Sequence, residues 1–286
     1  MEGLMKCIEE HRPEFSKGQK RIADYILRSY DEAAFMTAAK LGETVGVSES
    51  TVVRFAYSLG LDGYPALQEA LQELIRHRLT SVQRIRLAAT IPQDEMLRKV
   101  LTSDMNNIRA TIDMIDNDTF CNAIKAILGA RRIYVLGVRS SLALAQFLSY
   151  YLDFVCDNVV FINGAVQDTF ERMVRLGAED VCFGISFPRY SVRAVEAMRY
   201  AKKQGATVIS LTDLPTSPSA EFADYVLCAR SDMASFADSL VAPLSLVNAI
   251  ISAVGLARQE QAYQHLDRLE QIWSAEGVYL TDQQAD

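Results

Sequence analysis

Residues 131–164 read RRIYVLGVRSSLALAQFLSYYLDFVCDNVVFING, and this stretch decides the fold. A short apolar run, RIYVLG, meets paired serines, continues as a helical stretch and ends in a second apolar run, VVFING. Three more such runs follow, DVCFGIS, TVISLTD and YVLCAR, with helical stretches between them. Parallel strands need long crossovers, and helical crossovers cover the sheet they serve. The pattern therefore predicts an α/β fold, a parallel sheet buried on both faces. Beyond it, LVAPLSLVNAIISAVGLARQEQAYQHLDRLEQIW is helical and apolar. It suits either a subunit interface or the closing of the sheet's own face.

Upstream the period changes, and residues 1–79 contain helical patterns with no convincing strand. In SKGQKRIADYILRSYDEAAF, Ser16 is placed to cap a helix on which Ile22, Tyr25, Ile26 and Ser29 share one side. Residues 37–64, TAAKLGETVGVSESTVVRFAYSLGLDGY, read as two short helices joined by a tight turn. Thr37 caps the first, Gly46 ends it and Ser48 caps the second. Gly42 is small where two helices must cross closely, and Val47, Val52, Phe55 and Leu59 form the packed face.

That spacing is the spacing of a helix-turn-helix, which lays its second helix in the major groove of DNA. The outward side of this helix holds Glu49, Ser50, Thr51, Arg54, Tyr57 and Ser58. Ser50, Thr51 and Arg54 are residue types that reach base edges or phosphates from a helix start. Between Thr37 and Tyr64 the positive residues are Lys40 and Arg54, against Glu43, Glu49 and Asp62. Phosphate affinity thus needs Lys17, Lys20 and Arg21 from the preceding helix, and dimerisation. The DNA-contact candidates are Lys17, Lys20, Arg21, Thr37, Ser48, Ser50, Thr51, Arg54 and Tyr57.

At 286 residues the chain is two domains' worth. The expected division is an all-α helix-turn-helix domain over 1–79, a linker over 80–103 carrying the Ile91-Pro92 break, a sheet domain over 104–260, and a helix and tail over 261–286. A helical pattern resumes through Met105, Ile108, Ile112 and Ile115. Half the residues are apolar and 23% are charged, a balance that supports a packed core. No apolar run approaches the ~20 residues of a membrane span, and MEGLMKCIEEH is too acidic for a signal peptide, so no membrane partner and a cytoplasmic location are expected. The net charge of -7 gives no general argument for nucleic acid. Cys7, Cys121, Cys156, Cys182 and Cys228 are far apart with no C-x-x-C pair, so neither metal nor disulfide is expected, and no cofactor is called for.

Two strand ends carry the chemistry. After RIYVLG, Ser140 and Ser141 open a helix whose free N–H groups and dipole suit an anion. No G-K-[ST] and no run of three glycines follows, so bulky pyrophosphate is disfavoured. The third strand runs on as DVCFGISFPRYSVRAVEAMRYAKKQGA, with Ser186 at its end, Pro188 and Arg189 in the loop and Ser191 at the next helix start. The C-terminal edge of a parallel sheet is where such folds bind ligands, and Arg139 and Arg189 add charge suited to a phosphate. The ligand candidates are Arg139, Ser140, Ser141, Ser186, Arg189 and Ser191.

Taken together, VSESTVVRFAYSLGLDGYPALQEAL, LGVRSSLALA, ISFPRYSVRAVEAMRYAKKQGATVISLTD and SPSAEFADYVLCA resemble the RpiR family of bacterial transcriptional regulators over nearly the whole length. The resemblance implies a helix-turn-helix followed by a doubly wound SIS (sugar isomerase) domain. It also implies double-stranded operator DNA as a partner, a phosphosugar-type effector, and a homodimer or homotetramer built through the SIS domains. Ser141, with Ser140 beside it, resembles the serine of the family's first phosphate-binding turn, and Ser186 and Ser191 resemble its second ligand loop. That first turn usually reads G-x-G-x-S, whereas this chain has Arg139 in place of the second glycine. An arginine there suits a sugar acid or a second phosphate.

SIS domains also occur in sugar-phosphate isomerases. The histidines are His11, His77 and His265, all outside 104–260, and Glu171, Glu196 and Glu221 fall in helical stretches that read as solvated. No catalytic residue is assigned. A regulator is the leading reading, a sugar-phosphate isomerase or other SIS enzyme the alternative, and a metabolite-sensing adaptor that binds a protein through its N-terminal helices a third.

Overall fold

The computed structural model describes residues 2–75, 82, 84, 85, 89, 91–163, 169–233 and 236–279. His77, most of 76–90 and the tail beyond 279 lie outside the described residues. The chain divides into two compact units, Met1–Thr90 and Ile91–Asp286.

The first unit holds α1 (Glu2–His11), α2 (Lys17–Ala33), α3 (Ala38–Val45), α4 (Glu49–Ser58) and α5 (Tyr64–Ile75). The start of α2 is fixed by a reciprocal cap: Ser16 Oγ accepts from the Gln19 N–H, while Gln19 Oε1 accepts from the Ser16 N–H. Thr37 Oγ1 accepts from the Lys40 N–H at 3.1 Å, and Gly46, at φ 69°, ends α3. A Cβ on Gly42 would lie 2.8 Å from the Val47 carbonyl oxygen, so the close crossing of α3 and α4 needs glycine there. Of the expected packing face, Val52 and Phe55 are fully buried, and Val47 and Leu59 half-buried. Phe55 meets Phe15 edge-on at 5.1 Å. α5 is tied to the loop before α3 by three bonds. Tyr64 Oη and Gln68 Nε2 both donate to the Met36 carbonyl, and Gln72 Nε2 donates to that of Ala34. Burial pushes the Tyr64 phenol up to about 12.

The second unit opens with α6 (Met96–Met114), which starts inside the stretch expected as linker, and α7 (Asn117–Gly129). The strands are β1 (Ile133–Gly137), β2 (Val159–Ile162), β3 (Val181–Ile185), β4 (Thr207–Thr212) and β5 (Tyr225–Cys228). The helices among and after them are α8 (Ser141–Leu152), α9 (Thr169–Arg172), α10 (Val192–Lys203), α11 (Val241–Ala257) and α12 (Gln259–Ala275). Each apolar run of the sequence forms its strand. Among the described residues they make one parallel sheet in the order β2-β1-β3-β4-β5.

Alternate residues of each strand enter opposite cores. Ile133 and Val135 pack with Leu148, Phe183 and Ile250 on one face; Tyr134 and Leu136 pack with Cys182, Ala197 and Met198 on the other. α11 buries Leu246, Val247, Ile250 and Val254 in the first of these cores, so this apolar segment closes the sheet's own face. Among the described residues no single helix is long and apolar enough to cross a membrane, and the apolar pair α11 and α12 is bent by 101°.

Candidate functional sites

In the first unit, the start of α2 lies against α4. The nearest heavy atom to a Cβ on Gly18 would be Thr51 Cγ2, and Gln19 Nε2 donates to Ser58 Oγ at 3.2 Å. Lys17, exposed, and Lys20, half-buried, flank these two contact positions in the chain. Arg21 is partly committed: its guanidinium donates to the Gly46 carbonyl at 3.0 Å and so braces the turn.

Glu49, Ser50, Arg54, Tyr57 and Ser58 of α4 are exposed, as expected of the outward side, while Thr51 is half-buried. Tyr57 is 60% exposed, a large ring with no core to enter. Ser48 corrects one expectation. It occupies the N-cap position of α4, but its hydroxyl caps no N–H. Its Oγ lies 2.9 Å from Ser50 Oγ and 2.8 Å from Thr51 Oγ1 instead, forming a hydroxyl cluster at the helix start. Arg54 Nε leans back on the Ser50 carbonyl at 3.3 Å. Thr37 is exposed, with its hydroxyl engaged as a cap.

In the second unit, the sheet order reverses direction between β1 and β3. In open α/β sheets the crevice beyond the carboxyl ends of strands at such a point binds ligands. Gly137 and Ile185 are paired across these two strands, so the turns that follow start side by side. A Cβ on Gly137 would lie 2.5 Å from the Ser141 carbonyl oxygen, so glycine is what lets α8 start so close to the strand. Ser140 is exposed at the N-cap of α8 and Ser141 is buried at its first residue. The N–H groups of Leu142 and Ala143 are taken by the carbonyls of Arg139 and Ser140. Ser140 has no side-chain cap bond, and nor does Ser191 at the start of α10.

Arg139 and Arg189 both adopt left-handed backbone, at φ 57° and 64°, and both are exposed. Ser186, at the end of β3, is 2% exposed, and among the described residues its Oγ has no hydrogen-bond partner. Beside it, Tyr190 Oη donates to Asp213 Oδ1 at 2.7 Å, tying the loop after β3 to the end of β4. Burial, then the Asp213 carboxylate, push the Tyr190 phenol far up, so it stays a donor. Sequence reading missed this tie, and it missed Thr169, whose buried hydroxyl on the crossover after β2 also has no partner among the described residues.

The acidic residues considered for catalysis are solvent-facing or ion-paired. Glu171 and Glu221 are exposed, and Glu196 pairs with Arg199 at 3.0 Å. Cys182 and Cys228 are buried, and burial raises their thiols to about 12 and about 11. Both are core residues, poor nucleophiles at neutral pH.

Comparison with known proteins identifies both units by family. The model of the helix-turn-helix domain of the rpiR family matches residues 2–77, and that of the SIS domain matches residues 126–253. An uncharacterized HTH-type transcriptional regulator of Haemophilus influenzae is 30% identical over 215 residues, 74% of each chain. The HTH-type transcriptional regulator HexR of Pseudomonas aeruginosa is 24% identical over 277 residues, 95% of each chain. Among solved structures, the sugar isomerase domain of an RpiR transcription factor from Sphaerobacter thermophilus is 25% identical, with a TM-score of 0.60 over 62% of this chain and 99% of that one. NanR of Vibrio vulnificus, complexed with ManNAc-6P, shares the fold at a TM-score of 0.55 and 21% identity over 96% of this chain and 98% of its own. The chain belongs to the rpiR family of helix-turn-helix transcriptional regulators, with a SIS domain following its helix-turn-helix head.

Proposed function

We propose that the affinity of this regulator for double-stranded operator DNA is set by a phosphosugar-type effector bound beyond β1 and β3. The observation that carries this reading is Ser186, a hydroxyl 2% exposed and unpartnered among the described residues, at the point where strand order reverses. An unsatisfied buried hydroxyl costs about 1–3 kcal/mol, which a ligand oxygen would recover. The phosphate is assigned to the start of α8 with Ser140 and Ser141, and Ser186 and Ser191 to the sugar. Arg139 and Arg189 meet a second acidic group, a carboxylate or another phosphate. NanR, the relative solved with a sugar phosphate, supports the ligand class.

In the head, Lys17, Lys20, Arg21, Thr37 and Ser48 face the DNA backbone, and Ser50, Thr51, Arg54 and Tyr57 face the groove. The working division is 1–79 for the head, 80–103 for the linker, 104–260 for the SIS domain and 261–286 for the final helix and tail. The functional unit is a homodimer or homotetramer with paired heads on paired half-sites. The effector acts by linkage, through its different affinities for two quaternary states.

Calorimetric titration with a panel of sugar phosphates and sugar-acid phosphates tests the effector half. The wild type is expected to bind at least one, and Ser141→Ala with Ser186→Ala to lose at least tenfold in affinity. Absence of binding across the panel overturns the reading, and turnover of an aldose or ketose phosphate would replace it with the isomerase reading.

A further inference from the structure

Helix α6 buries its polar side and exposes its apolar one. Asn107 and Thr111 are 2% and 7% exposed, and both are fastened to the segment after β5. Asn107 Nδ2 donates to the Asp232 carbonyl at 2.8 Å, and the Asp232 N–H returns a bond to Asn107 Oδ1 at 3.1 Å. The Arg230 N–H donates to Thr111 Oγ1 at 2.9 Å. On the other side, Leu97, Leu101, Met105 and Ile112 are 72%, 56%, 68% and 67% exposed. They form one stripe along a helix of 19 residues, about 28 Å long. A continuous apolar stripe on a water-facing helix is the mark of a covered surface.

We infer that this stripe is the seam of a two-fold contact with a second copy of this chain, the two α6 helices running parallel. The inference rests on the oligomer reading above and names the surface that builds it. Leu101, Met105, Ile108 and Ile112 are spaced by 4, 3 and 4 residues, the alternation of heptad positions d, a, d, a. In that frame Asp104 falls at g and Arg109 at the following e, five residues on. This is the spacing at which opposite charges meet across a parallel pair. Antiparallel pairing would instead bring g beside g and e beside e, and this pair of opposite charges would not meet across the seam. Asp104 is held at the edge of the stripe by Ser239 Oγ at 2.6 Å. A two-fold axis between the helices closes the contact, and each copy supplies the same face.

Light scattering on the full chain tests this with the wild type, Met105→Glu and Ile112→Glu. Both side chains are exposed within the protomer, so far-UV circular dichroism should stay at the wild-type signal while the mass falls twofold, and the unfolding midpoint should lose its dependence on protein concentration. Orientation is read by Ile112→Cys in a background of Cys7→Ser and Cys121→Ser, under a mild added oxidant. The parallel arrangement predicts a covalent dimer through the introduced thiols. A monomeric wild type removes the oligomer reading itself. A wild-type oligomer whose mass survives both glutamates overturns the α6 seam and turns attention to the exposed Leu256 and Tyr263 of α11 and α12. An oligomer that the glutamates dissociate but the oxidant does not link overturns the parallel arrangement.

Discussion

Arg139 and Arg189 share one backbone state, left-handed at φ 57° and 64°, just beyond two strands that pair with each other. Among the described residues no other non-glycine residue has positive φ. Each such residue stores about 1–2 kcal/mol of local strain, which glycine would avoid. The strain persists where the side chain is wanted, and here both side chains are guanidinium groups at the edge of the proposed ligand crevice.

Replacing Arg139 with Gly should therefore split stability from binding. The variant is expected to unfold at equal or higher denaturant, with a gain of up to about 1 kcal/mol after the extra entropy of a glycine in the unfolded chain. Its affinity for a doubly acidic sugar phosphate should fall at least tenfold, with a smaller loss for a ligand bearing a single phosphate. A variant that is both less stable and unchanged in ligand preference contradicts the role given to Arg139.

Arg54→Ala tests the head. Arg54 is exposed and makes one long bond to the Ser50 carbonyl, so its loss should leave circular dichroism and melting unchanged. A lost base or phosphate contact is worth about 1–3 kcal/mol, or roughly 5- to 150-fold in operator affinity, read by fluorescence anisotropy at fixed salt. Wild-type affinity in this variant removes Arg54 from the interface.

Gly42→Ala should weaken the head by steric overlap alone. The new methyl would sit 2.8 Å from the Val47 carbonyl oxygen, a backbone atom that cannot swing aside. The expected cost is about 1–3 kcal/mol, with loss of DNA binding before loss of the far-UV signal of the sheet. Gly129→Ala is the control. Nothing lies within 4 Å of a Cβ there, so no loss of stability is expected.

Asp180 links stability to pH. It is 1% exposed and takes two bonds from Arg131, at 2.9 and 2.7 Å, and one from the Gly177 N–H at 2.8 Å. Burial alone would raise its carboxyl, but these bonds outweigh burial and hold it below the ordinary carboxylate range. A depressed folded value means the contribution is fully present above the unfolded value of about 4 and is lost as pH falls through the folded one. Asp180→Asn should cost about 1–3 kcal/mol at pH 7, and the deficit should shrink in urea titrations below about pH 4. An equal deficit at both pH values would show that packing, not charge, sets the effect.

The strands were legible because each is a short apolar run between helices, and both faces of a parallel sheet demand that composition. The head was legible because Gly42, Gly46, Val52 and Phe55 answer local demands of a tight turn and a close crossing. Arg189 was not legible as a left-handed residue: nothing in FPRYS marks that backbone, and glycine or asparagine is the usual sign of it. Ser48 was misread as a cap because its neighbours Ser50 and Thr51 offer competing partners for the same hydroxyl. On α6, periodicity found Met105, Ile108 and Ile112 but gave no sign of what covers them. Their own unit takes Asn107 and Thr111 instead.

The central claim, DNA binding under metabolite control, is tested most directly by selecting bound sequences from random duplex DNA, with and without a mixture of sugar phosphates, at moderate salt. The account predicts a motif of two half-sites whose recovery changes when the mixture is present. Recovery of no motif in either condition, or of one indifferent to every sugar phosphate, would contradict it.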